Sequence, residues 1–477
     1  MKKILQLFVV IMMVTQAQAQ ITFDATQPYI NSMYGAGKSI TINSTTGERA
    51  VLIAGKNTNV SGEYGSTKLF AIDGTELFDF NLESIGSKVS FFEENNYIYI
   101  AIITNDYGKK AFRALMDGNA NFIEIYSDTV NHSNQTITNI DINDDGFEDF
   151  LFSGYSSLTN ASDAKVLLNN GDGTMTLVSA PAIIPAVNSG YYKSAILDNS
   201  GKKHLVVIDA GFSYVIKNNG NGVFTQEFTL NDFGFYPHVA ISDINNDGLN
   251  DISVFSIDGT SYDGTMLYKN LGNLDFESYD SVFTGLPNVY DGEIEYADFN
   301  GDQLPDAVIA AKWLDGTFVN KIYLQSDSFK FTGDQIGFDA YDEWGNPLSL
   351  YLVQGSVDIY DYNSDGKLDI LLTGNLGGGP GPFASPQTWL MTNTSTLSVD
   401  EFNQGEFTMY PNPARDIVSF KGIDTIKSIE VFSQLGQKVL SARDTNSINI
   451  ESLSTGMYIV NITDMNKRTV QKKLIKK

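Results

Sequence analysis

Four short acidic stretches have the composition and spacing of cation-binding loops. They start at Asp141, Asp243, Asp298 and Asp361 and read DINDDGFED, DINNDGLND, DFNGDQLPD and DYNSDGKLD. Carboxylates crowded this closely repel one another, so the chain needs a cation or abundant water to offset the repulsion. The shared pattern D-x-N-x-D-G-x-x-D places hard oxygen donors at positions 1, 3, 5 and 9, and such donors suit Ca²⁺.

The sequence therefore predicts four Ca²⁺ sites, one in each of loops 1 to 4. Glycine at position 6 permits the sharp bend, and the backbone carbonyl of position 7 can complete the shell. The predicted ligands are Asp141, Asn143, Asp145, Phe147 and Asp149 in loop 1; Asp243, Asn245, Asp247, Leu249 and Asp251 in loop 2; Asp298, Asn300, Asp302, Leu304 and Asp306 in loop 3; and Asp361, Asn363, Asp365, Lys367 and Asp369 in loop 4. Loop 3 departs from the pattern because Gln303 stands where the other loops have Gly.

An EF-hand and a metal-free turn are two other interpretations of these loops. An EF-hand needs Glu at position 12 between two helices, whereas position 12 here is Phe152, Val254, Ile309 or Leu372 within an apolar, strand-like run. The EF-hand is therefore excluded. Asp and Asn also form side-chain-to-backbone turns without any metal. Four copies with one spacing favour the metal, and because three Asp per loop exceed the charge of one Ca²⁺, the predicted role is structural.

The elements that hold these loops are predicted to be strands. Each loop is followed by an apolar run, FLFSG, ISVFS, AVIAA or ILLTG, which is typical of a buried strand. The loops start 102, 55 and 63 residues apart, so a unit without the acidic motif is expected around Asp198, and two more fit upstream. Asn-Gly and Asp-Gly hairpins complete a unit of four strands, the pattern of a propeller blade. Seven units are expected between Ile21 and Thr394.

These motifs resemble the FG-GAP/VCBS repeats of integrin-alpha-like β-propellers. The resemblance is strong from Asp141 to Thr394 and weak from Ile21 to Ile140, and the phenylalanine-glycine and Gly-Ala-Pro landmarks are incomplete. It implies an all-β fold, a seven-bladed β-propeller over residues 21–394 with Ca²⁺ in inter-strand loops on one face. A small β-sandwich domain is expected to follow it.

Composition and the N-terminus indicate an exported protein. Residues 1–19 have the order of a signal peptide, with Lys2 and Lys3, then an apolar run, then Ala17-Gln18-Ala19. No later segment is long enough to span a membrane. The chain has no Cys, so packing or metal must replace disulfides. The net charge of -26 argues against nucleic acid as a partner and is compatible with metal cations.

The composition changes after Thr394. Residues 395–406 are predicted to be a linker, and residues 407–477, with eleven Lys and Arg against six Asp and Glu, a small β-sandwich. The stretches YPNPA at Tyr410–Ala414, LSTGMYIV at Leu453–Val460 and the terminal KKLIKK resemble the C-terminal sorting domain of the Bacteroidota type IX secretion system. The resemblance implies that the tail is an address read by that machinery and that it has no catalytic role.

No catalytic constellation stands out. The three histidines, His132, His204 and His238, lie in different units, and no thiol, H-E-x-x-H or G-x-S-x-G motif occurs. We therefore predict a calcium-binding protein of the cell surface or medium that acts in binding or adhesion, with an unidentified glycan or protein ligand. The alternative is an extracellular polysaccharide hydrolase or lyase, because paired carboxylates are plentiful.

Three loops are candidate contact surfaces for such a ligand. They are YSSLTNASDAK from Tyr155, DGTSYDGT from Asp258 and NLGGGPGPFASPQTW over Asn375–Trp389. In the last of them, Phe383 and Trp389 are the groups expected to stack on a ligand. An inert crossing is the other interpretation of that loop.

Overall fold

The computed structural model describes most of the chain as strands and short turns. The described residues are 21, 23–24, 33–57, 64–82, 88–104, 108–156, 158–188, 190–231, 233–257, 264–313, 318–333, 335–337, 340–341, 347–348, 352–376, 385–395, 408–421, 426–432, 438–443, 445–464 and 469–477. The chain divides into a compact unit Ile21–Ser395 and a second unit that includes Thr396–Lys477. The predicted signal peptide, residues 1–19, and the linker beyond Ser395 lie outside the described residues.

The described residues of the unit Ile21–Ser395 form seven four-stranded antiparallel sheets, which we number 1 to 7 in chain order. Sheet 1 is β2 (Met33–Thr41), β3 (Arg49–Asn57), β4 (Tyr64–Ala71) and β5 (Glu76–Asp79); sheet 2 is β6 (Lys88–Glu94), β7 (Tyr97–Ile103), β8 (Lys109–Leu115) and β9 (Ile123–Asp128); sheet 3 is β10 (His132–Ile140), β11 (Asp149–Ser156), β12 (Ala161–Asn169) and β13 (Met175–Ser179); sheet 4 is β14 (Tyr191–Ile196), β15 (Lys203–Asp209), β16 (Phe212–Asn218) and β17 (Phe224–Thr229).

The remaining three sheets of this unit follow the same order. Sheet 5 is β18 (Phe235–Ser242), β19 (Asp251–Ile257), β20 (Gly264–Gly272) and β21 (Asp275–Tyr279); sheet 6 is β22 (Val289–Ala297), β23 (Asp306–Trp313), β24 (Phe318–Tyr323) and β25 (Gln335–Gly337); sheet 7 is β28 (Leu352–Tyr360), β29 (Asp369–Leu376), β30 (Ser385–Asn393) and the N-terminal β1 (Phe23–Asp24). A short helix, α1 (Ser281–Thr284), precedes sheet 6, and a small hairpin, β26 (Ala340–Tyr341) with β27 (Pro347–Leu348), follows it. The predicted all-β fold is confirmed.

Burial along the strands explains why the second strand of each unit reads as an apolar run. In β7, β11 and β15 nearly every residue is buried, because both faces of the second strand are covered. The fourth strands β9 and β17 are mostly exposed or half-buried. Each sheet is therefore covered on both faces at its second strand and open to solvent at its fourth strand.

The core lies between successive sheets. Sheets 1 and 2 share an apolar cluster that contains Leu52 and Ile100. Clusters of the same kind join sheets 2 and 3, 3 and 4, 4 and 5, 5 and 6, and 6 and 7. The first strands β6, β10, β14, β18, β22 and β28 also contact one another in that order. Each sheet thus buries one face against the sheet before it and the other against the sheet after it.

Sheet 7 packs against sheet 1. Val51, Ile53 and Phe70 of sheet 1 form a buried cluster with Leu371 of β29 and Tyr362 of loop 4, and β2 contacts β28. The two sheets approach closely at Gly37, where an added Cβ would lie 2.4 Å from Thr373 Cγ2. The N-terminal strand β1 pairs with β30, so sheet 7 contains strands from both ends of this unit.

A β-bulge recurs in the first strands of sheets 3, 5, 6 and 7. In β10 two residues stand opposite one residue of β11 between the pairs Ser133–Tyr155 and Thr136–Ser153, and equivalent register shifts occur in β18, β22 and β28. The first paired residues after the bulges are Thr136, His238, Glu293 and Ser356, which are all buried. A bulge re-aims the side chains that follow it, so these polar groups occupy equivalent places in four sheets.

The second unit contains two sheets around one apolar core. The sheets are β31 (Thr408–Tyr410), β32 (Ile417–Lys421) and β35 (Ser447–Asn449), and β34 (Lys438–Arg443), β33 (Ile426–Phe432), β36 (Gly456–Asp464) and β37 (Thr469–Lys476). Val418, Ile429 and Leu474 are among the core residues. The Asn412 side chain donates to the Lys473 carbonyl at 2.7 Å and accepts from the Ile475 N–H at 2.9 Å. The YPNPA stretch is thereby fastened to the last strand.

Within the described residues, α1 is the single helix, and no helix is long and apolar enough to cross a membrane.

Ile21 tests whether the N-terminal residues hold sheet 7. Ile21 is buried against the core that sheets 6 and 7 share, so Ile21→Ala should destabilise the protein by about 2–4 kcal/mol through lost burial and a cavity. The measurement is the urea unfolding midpoint of the full chain. Leu158→Ala is the matched control, because Leu158 is 73% exposed. Equal midpoints for the two variants would show that residue 21 contributes nothing to this core.

Candidate functional site

The four acidic loops all join the first strand of a sheet to its second strand. Loop 1 joins β10 to β11, loop 2 joins β18 to β19, loop 3 joins β22 to β23 and loop 4 joins β28 to β29. The residue before each loop pairs with the position-9 Asp, as Ile140 does with Asp149. The loops therefore occupy equivalent ends of their sheets, and strands flank them on both sides.

The backbone of each loop winds around the side-chain oxygens of positions 1, 3 and 5. In loop 1 Asp141 accepts the Gly146 N–H at 3.0 Å, Asn143 accepts the Asp145 N–H at 3.1 Å, and Asp145 accepts the Phe147 N–H at 2.9 Å. The bond from the position-6 N–H to the position-1 carboxylate is 2.8 Å in each of the other three loops. Side chains of the predicted ligand positions thus turn toward the loop's own backbone.

Each loop needs two residues in the left-handed backbone region, at positions 4 and 6. The φ angles at position 4 are 64° for Asp144, 58° for Asn246, 76° for Gly301 and 61° for Ser364. At position 6 they are 88° for Gly146, 91° for Gly248, 73° for Gln303 and 84° for Gly366. Loop 3 has exchanged the two residue types, with Gly at position 4 and Gln at position 6. Every loop therefore keeps one glycine for these two strained positions.

The position-9 carboxylates are buried and fully engaged. Asp149 accepts the Ile142 N–H at 3.0 Å with one oxygen and the Asn169 N–H at 2.8 Å with the other. The same two bonds recur for Asp251 with Ile244 and Asn270, for Asp306 with Phe299 and Gln325, and for Asp369 with Tyr362 and Asn393. This Asp binds position 2 of its loop to the residue at the end of the third strand. The sequence predicts the position-9 Asp only as a metal ligand and does not reveal that it binds these two backbone N–H groups.

Burial has the largest effect on the pKa values of these carboxyl groups. Desolvation, aided by the neighbouring Asp145 and Asp141, raises the pKa of Asp149 to about 7, although the two backbone N–H bonds oppose the shift. The same causes raise the pKa values of Asp251 and Asp306 to about 7, and burial also raises the pKa of Asp369. A cation bound in the loop would offset the repulsion and favour the ionised form.

Side-chain amides fasten the loop of one sheet to the next sheet. Asn218, at the end of β16, donates from its Nδ2 to the Asp141 carbonyl of loop 1 at 3.0 Å. Gln325 of sheet 6 donates to the Ile244 carbonyl of loop 2 at 2.9 Å. These amides lie at the position whose backbone N–H binds the buried carboxylate or its substitute. One residue therefore connects the loops of two neighbouring sheets.

Sheet 4 replaces the buried carboxylate by a histidine. His204 is completely buried, its Nδ1 accepts the Asn218 N–H at 3.1 Å, and its Nε2 lies 2.9 Å from the Asp198 carboxylate. Burial tends to raise the pKa of Asp198, but hydrogen bonds from Ser200 and His204 outweigh it and lower the pKa to about 2. His204 thus binds the end of β16 as Asp149 binds Asn169, and it pairs with Asp198 of the shortened loop.

Two lysines of sheet 4 contact loop 1. Lys202 forms an ion pair with Asp144, and Lys203 Nζ lies 3.0 Å from the Glu148 carboxylate. These acidic residues occupy positions 4 and 8, which are not predicted ligands. The lysines lower the net negative charge around loop 1 and leave the carboxylates of positions 1 and 5 available.

The donor set of positions 1, 3 and 5 fits a hard cation. These oxygens lie at the solvent-facing side of the loop, and each ionised carboxylate retains lone pairs beyond its backbone bonds. In the part of the chain that the structure describes, no three acidic or histidine side chains converge as a metal cluster. At position 7 the backbone N–H donates to the position-5 carboxylate in all four loops. The four Ca²⁺ sites remain a prediction, with positions 1, 3 and 5 as the open donors.

One expected ligand contact is wrong. Trp389 was expected to stack on a ligand from an exposed loop, but it lies in β30, is 1% exposed and packs in the core between sheets 6 and 7. Its strand position, one residue before Leu390 and two before the buried Met391, explains this burial. Phe383 and residues 258–263 lie outside the described residues, and Tyr155 is exposed.

A second cluster of polar side chains lies on the first strands of sheets 1, 6 and 7. Glu293 of β22 accepts from Lys38 Nζ at 2.9 Å with one carboxylate oxygen, and from the Ser356 hydroxyl and the Val357 N–H at 2.7 Å each with the other. Glu295 lies 3.4 Å from the same ammonium group. Glu293 therefore connects three sheets, and its strong coupling to Lys38 holds the pKa of Glu293 well below its usual range despite burial. No sequence motif marks this group.

The three histidines are core residues and not a catalytic set. His132 has its Nε2 2.8 Å from the Asp163 carboxylate and its Nδ1 3.4 Å from Lys109 Nζ. His238, on β18, stacks on Phe255 and meets the Tyr191 ring edge-on, each at 5.3 Å between ring centroids. All three are nine-tenths or more buried.

Asp251 tests the role of the buried carboxylate. In Asp251→Asn an amide N–H would face a backbone N–H in place of an accepting oxygen, so we expect a loss of about 2–3 kcal/mol in the free energy of unfolding. The measurement is urea unfolding at pH 8 with EDTA present, which removes any contribution of calcium. Asp172→Asn in an exposed hairpin is the control. A variant as stable as this control would refute the bridging role.

Comparison with known proteins identifies the tail. Residues 408–477 match the family model described as the secretion system C-terminal sorting domain. No curated protein matches the chain. The family match does not extend to sheets 1 to 7, for which the FG-GAP/VCBS resemblance remains an interpretation of the motifs.

Solved structures resemble the chain only distantly. A lectin from Agrocybe aegerita, described as recognising non-reducing terminal N-acetylglucosamine, is 16% identical over 64% of this chain and 83% of its own, with a TM-score of 0.38. AofleA from Arthrobotrys oligospora is 9% identical over 66% and 90%, with a TM-score of 0.40. BBS1N in complex with ARL6DN is 13% identical over 79% and 99%, with a TM-score of 0.46. What the comparisons establish is the tail: the chain carries a type IX sorting domain, which implies a secreted or cell-surface protein.

Proposed function

We propose that the unit Ile21–Ser395 is a seven-bladed β-propeller that binds calcium and acts outside the cell as a binding or adhesion protein. The closed ring is inferred from the contact of sheet 7 with sheet 1, in which Leu371 and Tyr362 pack against Val51. Since each other sheet packs on its successor, this last contact supports a closed cycle of seven sheets. The pairing of β1 with β30 supports closure, because it joins the two ends of the unit in one sheet.

Calcium is the ion we propose for loops 1 to 4. Its support is the donor set of positions 1, 3 and 5, which repeats in four loops with the same backbone bonds. Oxygen donors in a flexible, solvent-facing loop suit Ca²⁺. The position-9 Asp would act through its hold on position 2, which keeps the loop wound around the ion.

A binding role is favoured over catalysis by what the polar groups do. His132, His204 and the position-9 carboxylates are committed to contacts inside and between sheets. The strands form a scaffold that presents the loops between them, and such a scaffold suits recognition. The sorting domain accounts for the proposed partner of the tail, the type IX secretion machinery, and the ligand of the propeller would be an extracellular glycan or protein.

Calcium removal is the first test. EDTA should lower the melting temperature of the full chain, because unbound loops retain uncompensated repulsion between carboxylates. Added Ca²⁺ should restore the melting temperature, and the double variant Asp243→Ala/Asp361→Ala should respond less. Asp172→Asn, outside the loops, should respond like the wild type. Melting curves that superimpose with and without EDTA would contradict the calcium proposal.

A glycan array with the calcium-loaded full chain tests the binding role. We expect retention on a defined class of saccharides and loss of that retention in EDTA. Incubation of the same protein with plant and algal polysaccharides, followed by assay of reducing ends and unsaturated products, examines the alternative. Product formation would replace the binding proposal by a hydrolase or lyase. Absence of both retention and product would contradict a glycan ligand and leave a protein ligand.

A further inference from the structure

His238 is a buried polar side chain whose ring nitrogens are unsatisfied. It is 6% exposed, and within the described residues neither Nδ1 nor Nε2 has a hydrogen-bond partner. Nε2 lies 3.4 Å from a Glu293 carboxylate oxygen, an ion-pair distance when the ring is protonated. Buried imidazoles normally pair both nitrogens. The ring is held between Phe255 and Tyr191, so its orientation is fixed by packing and not by polar contacts.

Two further donors lie beside this ring on β14. Tyr191 touches the His238 ring, and Lys193, two residues further along the strand, projects from the same face. Lys193 is close enough that its charge contributes to lowering the pKa of His238. Both residues are half-buried, and no described residue forms a hydrogen bond or ion pair with the Tyr191 hydroxyl or the Lys193 ammonium. Three donors on two adjacent strands thus lack acceptors.

The acidic residues nearby are largely committed to other contacts. One Glu293 oxygen accepts from Ser356 and Val357, and the other accepts from Lys38 and lies 3.4 Å from His238 Nε2. Glu295 is 30% exposed and shares the Lys38 ammonium. Lys38 and Lys193 offset the charge of the two glutamates, and the Asp358 carboxylate also acts on the Lys38 ammonium. The Lys193 ammonium is therefore the positive group that an added anion meets on β14.

We propose that Tyr191, Lys193 and His238 form a binding site for a carboxylate group, located among the first strands of sheets 4, 5 and 6. A carboxylate offers about four lone-pair positions on two oxygens, enough for an ammonium, a hydroxyl and an imidazole N–H. The partly exposed Glu295 is placed to accept a hydroxyl of the same ligand. The ligand class is a small organic acid, either a uronic acid sugar or the C-terminus of a peptide. This site is distinct from loops 1 to 4 and does not depend on the proposed calcium-dependent binding.

Other occupants fit less well. A metal cation would compete with the Lys38 ammonium, which already lies between Glu293 and Glu295. A purely structural role for His238 leaves two buried nitrogens without partners, at a cost of about 1–3 kcal/mol each. Neutral sugars would leave the Lys193 charge unpaired. A carboxylate accepts from all three donors and carries the single negative charge that Lys193 balances.

Isothermal titration calorimetry of the full chain tests the site directly. The probes are sodium glucuronate, glucose as its neutral counterpart, glycylglycine as a peptide carboxylate, acetate and inorganic phosphate. We expect binding of glucuronate or glycylglycine with acetate weaker, and no binding of glucose. The tighter of the first two identifies the source of the carboxylate. Absence of heat for every carboxylate up to about 10 mM, glucose binding equal to glucuronate, or phosphate binding as tightly, would overturn the proposal.

Variants separate this site from adventitious binding. Lys193→Met and Tyr191→Phe remove one donor each while keeping the apolar part of the side chain, and each should weaken carboxylate binding about tenfold. Lys165→Met is the matched control and should bind like the wild type, because Lys165 is a half-buried lysine of β12 that donates to Ser179. Circular dichroism melts establish that the variants fold. Unchanged binding in both Lys193→Met and Tyr191→Phe would disprove the assignment.

The pH dependence of binding supplies an independent readout. Burial lowers the pKa of His238, with Glu293 and Glu295 opposing and Lys193 reinforcing the shift. A bound carboxylate favours the protonated ring, so binding should tighten as the pH falls from 8 to 6. The pKa of Glu293 lies below its usual range and those of Lys38 and Tyr191 lie above theirs, so these groups do not titrate in that interval. His238→Gln should abolish the pH dependence, and a pH-independent wild type would contradict the role of His238.

Discussion

A buried carboxylate that must be satisfied by backbone N–H groups fixes the geometry of the acidic loops. Asp149 can stay inside the sheet only because Ile142 and Asn169 donate to its two oxygens. The first bond draws position 2 inward and so shapes the loop, and the second ties the second strand to the third. The recurrence in sheets 5, 6 and 7 gives all four loops one conformation. In sheet 4, His204 and Asp198 meet the same requirement with different chemistry.

A second constraint acts where the first strands meet. Thr136, Glu293 and Ser356 follow a β-bulge, and each accepts an N–H from the first strand of the following sheet, at Tyr192, Val357 and Gly37 respectively. Backbone groups there lie beyond the hydrogen-bond ladder of their own sheet, so side chains must serve them. Glu293 forms a further contact between sheets, because it also binds Lys38 of sheet 1. Apolar packing brings the sheets together, and these polar contacts set how their first strands are aligned.

The repeat made the strands and loops predictable, since apolar runs and turn residues act locally. The alternation of acidic loop and apolar run predicted the first and second strands of sheets 3, 5, 6 and 7, and the spacing predicted sheet 4. The Glu293 group could not be foreseen, because its members lie up to 319 residues apart and share no motif. The second role of the position-9 Asp also escaped prediction, because its partners are backbone N–H groups, which carry no residue signature. Trp389 was misassigned because a Gly- and Pro-rich loop precedes a strand that is buried.

Where repeated units build a scaffold, specific recognition has to come from positions at which the units differ. The acidic loops are nearly identical and can differ little in what they bind, so their repetition argues for stability. The residues after the bulges do differ, being Thr136, His238, Glu293 and Ser356 in sheets 3, 5, 6 and 7. Thr136, Glu293 and Ser356 already form hydrogen bonds between sheets. His238 alone keeps unsatisfied nitrogens within the described part of this set, and it does so beside the donors of β14. The break in the pattern of sheet-to-sheet bonds is therefore the place where we propose that a ligand binds.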